Sequence, residues 1–129
     1  MITTKDYYKG RDISHAKELT SEIRFKAETI MQIVNALLLE SGFSDRTATS
    51  GWRPRSVQME INPRAPNSKH VTGEAIDIGD RDQQFAFWCL AHQDVLKSYG
   101  LYMENPKYTP TWVHLQTVAP RSGRRVFNP

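Results

Sequence analysis

Ser68-Lys69-His70-Val71-Thr72-Gly73-Glu74-Ala75-Ile76-Asp77 is the stretch on which the fold turns. It puts an imidazole on a polar loop and a carboxylate seven residues later on a strand, with Gly73 easing the turn between them. Glu74 to Ile78 alternates with period two, so Ala75 and Asp77 share one side and Ile76 and Ile78 the other. Asp77 therefore points away from the oily face. Glu74 lies inside the stretch, but the same parity turns it away from Asp77, and it is given no role.

Working outward toward the C-terminus, Gln83 to Tyr99 predicts one amphipathic helix with Trp88, Ala91, Val95 and Tyr99 on a stripe and Gly100 as terminator. Leu101 to Glu104 and Thr111 to Gln116 then predict two strands joined by Asn105-Pro106-Lys107-Tyr108-Thr109-Pro110. Tyr102 and Glu104 share one side of the first; Trp112, His114 and Gln116 share one side of the second. Period-two parity thus lets Glu104 and His114 face one cleft. The stretch from Ala119 to Pro129 carries Arg121, Arg124 and Arg125 among Pro, Ser and Gly and is expected to be irregular, basic and partly mobile.

Toward the N-terminus, Leu19, Ile23, Ala27, Ile30, Val34, Leu37 and Leu38 recur at spacings of three and four. They predict a helix from Ser21 to Ser41, capped by Thr20 or Ser21 and stopped by Gly42. Ala48 to Arg53 predicts a short strand that leads into a long functional loop broken by Pro54, Pro63 and Pro66. The expected whole is an α+β domain spanning residues 1–129, with 1–18 as an N-terminal segment and 119–129 as the tail. Helices cover one face of a small antiparallel sheet, and the site occupies the other.

With 129 residues, 39% hydrophobic and 24% charged, the chain suits one soluble domain with a core of its own. No apolar run approaches a membrane span, so stable membrane insertion is not expected. The start from Met1 through Thr3, Lys5 and Asp6 has no apolar segment behind a basic one, so synthesis in a cytoplasm without a signal peptide is expected. Cys89 is the single cysteine, which excludes an internal disulfide and a cysteine-based zinc finger. Its apolar neighbours, Phe85 to Ala91, mark it as a buried, inert thiol. His15 and His92 are read as surface residues. A net charge of +3 suits several anionic partners. The arginine tail lacks interleaved aromatics, so nucleic acid is not expected as a partner.

Any metal must therefore use His and carboxylate. His70, Asp77 and His114 supply two imidazoles and one carboxylate, leaving a fourth tetrahedral position open for water, as in catalytic rather than structural zinc sites. Zinc so bound brings the pKa of its water toward neutrality and polarises a carbonyl, the two needs of amide hydrolysis.

These residues carry a resemblance. Ser50-Gly51-Trp52-Arg53-Pro54 resembles the S-G-[YW]-R-[PS] segment of the D-Ala-D-Ala carboxypeptidase, L-alanyl-D-glutamate endopeptidase and hedgehog-type group of zinc peptidases. Ser68 to Asp77 resembles its S-x-H-x-x-G-x-A-x-D segment, and Trp112-Val113-His114 its closing W-x-H or H-x-H. The match covers Ser50 to Gln116. It implies a hedgehog or DD-peptidase-like fold, Zn2+ as cofactor, and His70, Asp77 and His114 as its ligands. Arg53 would stabilise the developing oxyanion or grip a substrate carboxylate, and Ser68 would line the substrate cleft. Many relatives place a catalytic Glu three residues before the last His, where this chain has Thr111; others place it upstream on the preceding hairpin strand, where Glu104 stands. Glu104 is taken as the base. Where some relatives have a further His, this chain has Trp112, which would wall the cleft.

The resemblance implies a peptidase acting on peptidoglycan stem peptides; with the small size and the expected lack of a signal peptide, a monomer serving in phage lysis or wall remodelling is expected. It would reach the wall after release from the cytoplasm or as part of a phage particle. The rival from another class is a non-catalytic, zinc-containing binding or virion structural module of the same fold, for which Thr111 and Trp112 speak.

Overall fold

Thr3 and Asp6 open the chain with reciprocal caps, each side chain accepting from the other's backbone N–H, and start a short helix α1 (Thr4–Tyr8). The computed structural model describes residues 1–129. A one-turn helix α2 (Arg11–Ser14) and a 3-10 turn (Ala16–Glu18) follow. The long helix α3 (Ser21–Ser41) has the bounds its periodicity predicts, because Thr20 accepts from Ile23 N and Gly42 closes it in the left-handed region at φ 82°.

Strand β1 (Ala48–Ser50) is shorter than expected, since Arg53 N bonds to His70 O at 3.0 Å instead of to a strand. The expected loop holds a helix, α4 (Arg55–Ile61), preceded by Pro54, whose missing N–H costs a helix start nothing. Strand β2 (Ala75–Gly79) leads to α5 (Gln84–Ala91) and α6 (Gln93–Ser98). The single helix expected over Gln83 to Tyr99 is broken at His92 (φ −130°, ψ 47°), whose Nδ1 sits 2.7 Å from the Trp88 carbonyl at the end of α5. That ring also stacks on Trp88 with centroids 4.1 Å apart, so His92 is half-buried rather than a free surface residue.

Strands β3 (Tyr102–Glu104), β4 (Trp112–Gln116) and β5 (Val126–Phe127) complete a five-stranded sheet in the order β1-β2-β4-β3-β5. The first three pairings are antiparallel, but β5 runs parallel to β3. The sheet is therefore mixed, which corrects the expectation of a purely antiparallel one, and the tail is not wholly irregular. The cause is the open edge of β3: Met103 N donates to Arg125 O at 2.8 Å and Asn105 N to Phe127 O at 2.7 Å. Arg125 strengthens the join by covering the Tyr102 ring at 4.2 Å and donating to Leu101 O.

One apolar cluster fills the space between helices and sheet. Ala27, Ile30, Val34 and Leu37 of α3 meet Ile76 and Ile78 of β2, Val113 and Leu115 of β4, and Phe85 and Cys89 of α5. Burial pushes the Cys89 thiol well above its ordinary value, which keeps it protonated and inert. The N-terminal segment belongs to the same core: Ile2, Tyr7 and Tyr8 are buried in it. Tyr7 lies so close to Gly51 that a Cβ there would sit 2.5 Å from the tyrosine's carbonyl oxygen, so only glycine fits. No helix is long and apolar enough to cross a membrane.

Candidate metal centre

The polar face of the sheet carries one row of side chains. Ser50 pairs with Asp77 across β1 and β2, Asp77 with His114 across β2 and β4, and Glu104 with Phe127 across β3 and β5. The β3–β4 register, Tyr102 with Gln116 and Met103 with Leu115, continues to set Glu104 opposite His114. Period two therefore puts all five residues on the side opposite Ile76, Ile78, Val113 and Leu115. His70 joins from the loop before β2, buried at 2% exposure.

Three ligand atoms converge. Asp77 Oδ1 is 3.2 Å from His70 Nε2 and 2.9 Å from His114 Nδ1, and the one-per-residue ligand atoms of the three side chains lie within 4.8 Å of one another. A tetrahedral shell with bonds of roughly 2.0–2.1 Å has edges of about 3.3 Å, close to the two separations at Asp77.

The outer contacts decide which nitrogens are free. His70 Nδ1 is 2.7 Å from Gly51 O, which can only accept, so Nδ1 carries the proton and Nε2 presents a lone pair. Burial pushes His70 down toward its neutral form, although Asp77 and His114 act on it as well. At the second imidazole, Gln116 Oε1 lies 2.9 Å from His114 Nε2, while the amide nitrogen of Gln116 donates to Val118 O at 2.7 Å. Gln116 thus offers its oxygen, His114 Nε2 donates, and Nδ1 of the neutral ring is the free atom. Two acceptor nitrogens then face one carboxylate oxygen, an arrangement that a cation between them satisfies. The residues present fit a metal ion: a buried His70-Asp77-His114 group able to bind one.

Charge around the trio follows. Burial alone raises an acid, but the neighbouring imidazoles outweigh it and hold Asp77 well below the usual carboxylate range. Burial likewise opposes a charge on His114, yet the Asp77 carboxylate, able to accept from a protonated Nδ1, raises the affinity of His114 for a proton, one that a bound cation would replace. Burial, reinforced by the charge of Asp77, pushes Glu104 above the ordinary range of a glutamate, against the pull of His114.

All seven residues singled out from the sequence line one cavity of about 430 Å³: Arg53, Ser68, His70, Asp77, Glu104, Trp112 and His114. Arg53 is tied down on three sides, donating Nε to Ser50 Oγ (3.0 Å), Nη1 to Gln58 Oε1 (3.2 Å) and Nη2 to Asp77 Oδ2 (3.3 Å). Two of its five N–H donors are left for a ligand. Ser68 accepts from His70 N at 3.3 Å, which also makes it part of the loop that aims the imidazole. Gln58, Gly51, Gln116 and Phe127 were not singled out. Gln58 is 1% exposed on α4 and bonds Ala65 O as well as Arg53. Phe127 packs edge-on against His114 with centroids 6.2 Å apart. Of these, Gln116 and Gly51 left a signal, the first in its period-two spacing from His114 and the second in its place within Ser50 to Pro54.

Protein-family models, curated proteins and solved structures contain no match to this chain.

Proposed function

We propose that this chain is a zinc-dependent peptidase that hydrolyses amide bonds in bacterial peptidoglycan stem peptides, of the D-Ala-D-Ala carboxypeptidase or L-Ala-D-Glu endopeptidase type. The observation that carries this is the pair of acceptor nitrogens, His70 Nε2 and His114 Nδ1, facing Asp77 Oδ1 on the wall of a cavity that also holds Glu104. The three sequence segments in order, Ser50 to Pro54, Ser68 to Asp77 and Trp112 to His114, support the hedgehog or DD-peptidase-like form of the α+β fold and the choice of substrate.

His70, Asp77 and His114 would hold the zinc, which when bound polarises a substrate carbonyl and makes water acidic enough to attack it near neutral pH. Glu104 takes the proton of the attacking water and hands it to the leaving amine, a task its raised affinity for protons suits. Arg53 keeps Asp77 aimed and turns its two remaining donors to the developing oxyanion or to a substrate carboxylate. Ser68 and Trp112 line the cleft and position the peptide. The protein acts as a monomer on the cell wall, after release from the cytoplasm or from a phage particle.

A second reading, a zinc-containing module of the same fold without hydrolysis, draws on Thr111 and Trp112 standing where relatives carry Glu and His. Turbidity of purified cell walls separates the two. Clearing that stops with chelator and returns with zinc supports the peptidase, and mass spectrometry of the fragments names the bond. Zinc-loaded protein that releases no fragment overturns it.

A further inference from the structure

The catalytic cavity is not closed on its far side. A second groove of about 520 Å³ shares Ala65, Ser68, Glu104, His114 and Pro129 with it, so a chain lying in one continues into the other. Its outer walls are the loop from Arg64 to Lys69 and the two ends of the tail, Pro120 and Arg121 on one side and Phe127 to Pro129 on the other.

The charge of this groove is one-sided. Arg64, Lys69 and Arg121 line it, and its single carboxylate side chain is Glu104, at the junction with the metal centre. None of the three cations forms an ion pair. Arg46, by contrast, meets Asp45, Asp80 and Asp82. Three cations around one concave wall, offset there by the side chain of Glu104 alone, leave a positive potential that favours an anionic occupant. Asn128 adds neutral donors, because its Oδ1 already accepts from Asn105 Nδ2 and its N–H groups have no acceptor within the chain.

We infer that Arg64, Lys69 and Arg121 form a carboxylate-selecting subsite, so that the cleft takes peptides bearing free carboxylates within a few residues of the bond to be cut. This rests on the peptidase reading and specifies its substrate. The occupant is a short acidic peptide rather than a polyanion such as nucleic acid, because the groove is short and opens directly onto the metal centre.

The test uses two probes: a stem peptide, and the same peptide with every carboxylate except that of its C-terminus converted to a carboxamide. Zinc-loaded wild-type protein should favour the acid form by at least roughly tenfold in kcat/KM, the worth of one charge-assisted hydrogen bond. The preference should shrink as salt is raised. In the triple variant Arg64→Gln, Lys69→Gln, Arg121→Gln the two peptides should come within about twofold of each other, with zinc content and melting temperature kept. Equal rates on the two peptides in the wild type, or a preference that survives in the triple variant, overturn the subsite. Duplex DNA that displaces the acid peptide better than salt of equal ionic strength also overturns it. If the protein cuts neither peptide, dissociation constants from calorimetry replace the rates: selective binding without cleavage then refutes the peptidase and leaves the subsite standing.

Discussion

Gln116 Oε1 stands 2.9 Å from His114 Nε2, two residues along the same strand, and the glutamine cannot turn away because Val118 O holds its amide nitrogen at 2.7 Å. The consequence is that His114 offers Nδ1, not Nε2, to the metal centre. A side chain outside the trio thereby selects the nitrogen that would meet a metal ion.

Gln116→Ala should weaken zinc binding by roughly 10–100-fold, the usual cost of losing an outer partner of a ligating histidine. Gln116→Glu, which keeps the acceptor, should recover most of it. Competition against a chromophoric chelator measures both, and equal affinities for Gln116→Ala and wild type would remove the orienting role.

Protein purified without added metal should carry one zinc per chain, and His70→Ala and His114→Ala should each remove it. Elemental analysis decides this. Full zinc in both variants would place the metal elsewhere.

Arg53→Lys should keep fold and zinc yet lose most of the activity. A single ammonium cannot reach Ser50, Gln58 and Asp77 together while leaving donors for substrate. Wall-hydrolysis kinetics within about a factor of two of wild type would contradict this, since that is a small part of one tenfold step in barrier.

Gly51→Ala should cost about 1–3 kcal/mol or more, the penalty of overpacking, because the new Cβ meets the Tyr7 carbonyl oxygen at 2.5 Å and backbone does not move cheaply. The Gly51 carbonyl also holds His70 Nδ1, so zinc affinity should fall together with melting temperature. An unchanged melting curve would show that Tyr7 yields more easily than the packing implies.

Glu104→Gln should lower the hydrolysis rate by roughly 10²–10⁴, the range for a positioned general base, with zinc content unchanged. Burial raises the glutamate, so the wild-type rate should climb with pH through that raised value, and this acidic limb should vanish in the variant. The effect on stability has the opposite sense. A carboxyl whose folded pKa is raised makes the folded state less stable as pH climbs through the interval above its ordinary value of 4.5, so at neutral pH Glu104→Gln should melt no lower than wild type. A rate near wild type would move the base to another residue, and loss of zinc would recast Glu104 as support for the metal.

Where the chain's own spacing carries the information, sequence and structure agree. Helix α3 has its expected ends because Thr20 and Gly42 are local signals, and Asp77, His114 and Glu104 share a face because strand parity is local too. The misses depend on partners far along the chain. Strand β5 is two residues long and has no pattern of its own; it exists because Met103 N and Asn105 N need acceptors. Helix α4 buries only Gln58, so it shows no apolar stripe, and the prolines around it suggested a loop. The break at His92 comes from one imidazole turning back to the Trp88 carbonyl, inside an otherwise continuous helical pattern. The place of Tyr7 in the core depends on Gly51, 44 residues away, and no spacing rule connects them.

Because Ser50, Asp77, His114, Glu104 and Phe127 occupy one row across five strands, the site is indexed to the hydrogen-bond ladder itself. Inserting or deleting a single residue within Ala75–Gly79 or Trp112–Gln116 would turn every later side chain of that strand over, so that an isoleucine or leucine would face the cavity and a ligand the core. The connection over residues 105–111 lies outside this constraint, since adding residues there leaves the parity of both strands intact. Length variation among descendants of this chain should therefore gather in its connections and be absent from its central strands, an asymmetry that substitution patterns alone would not reveal.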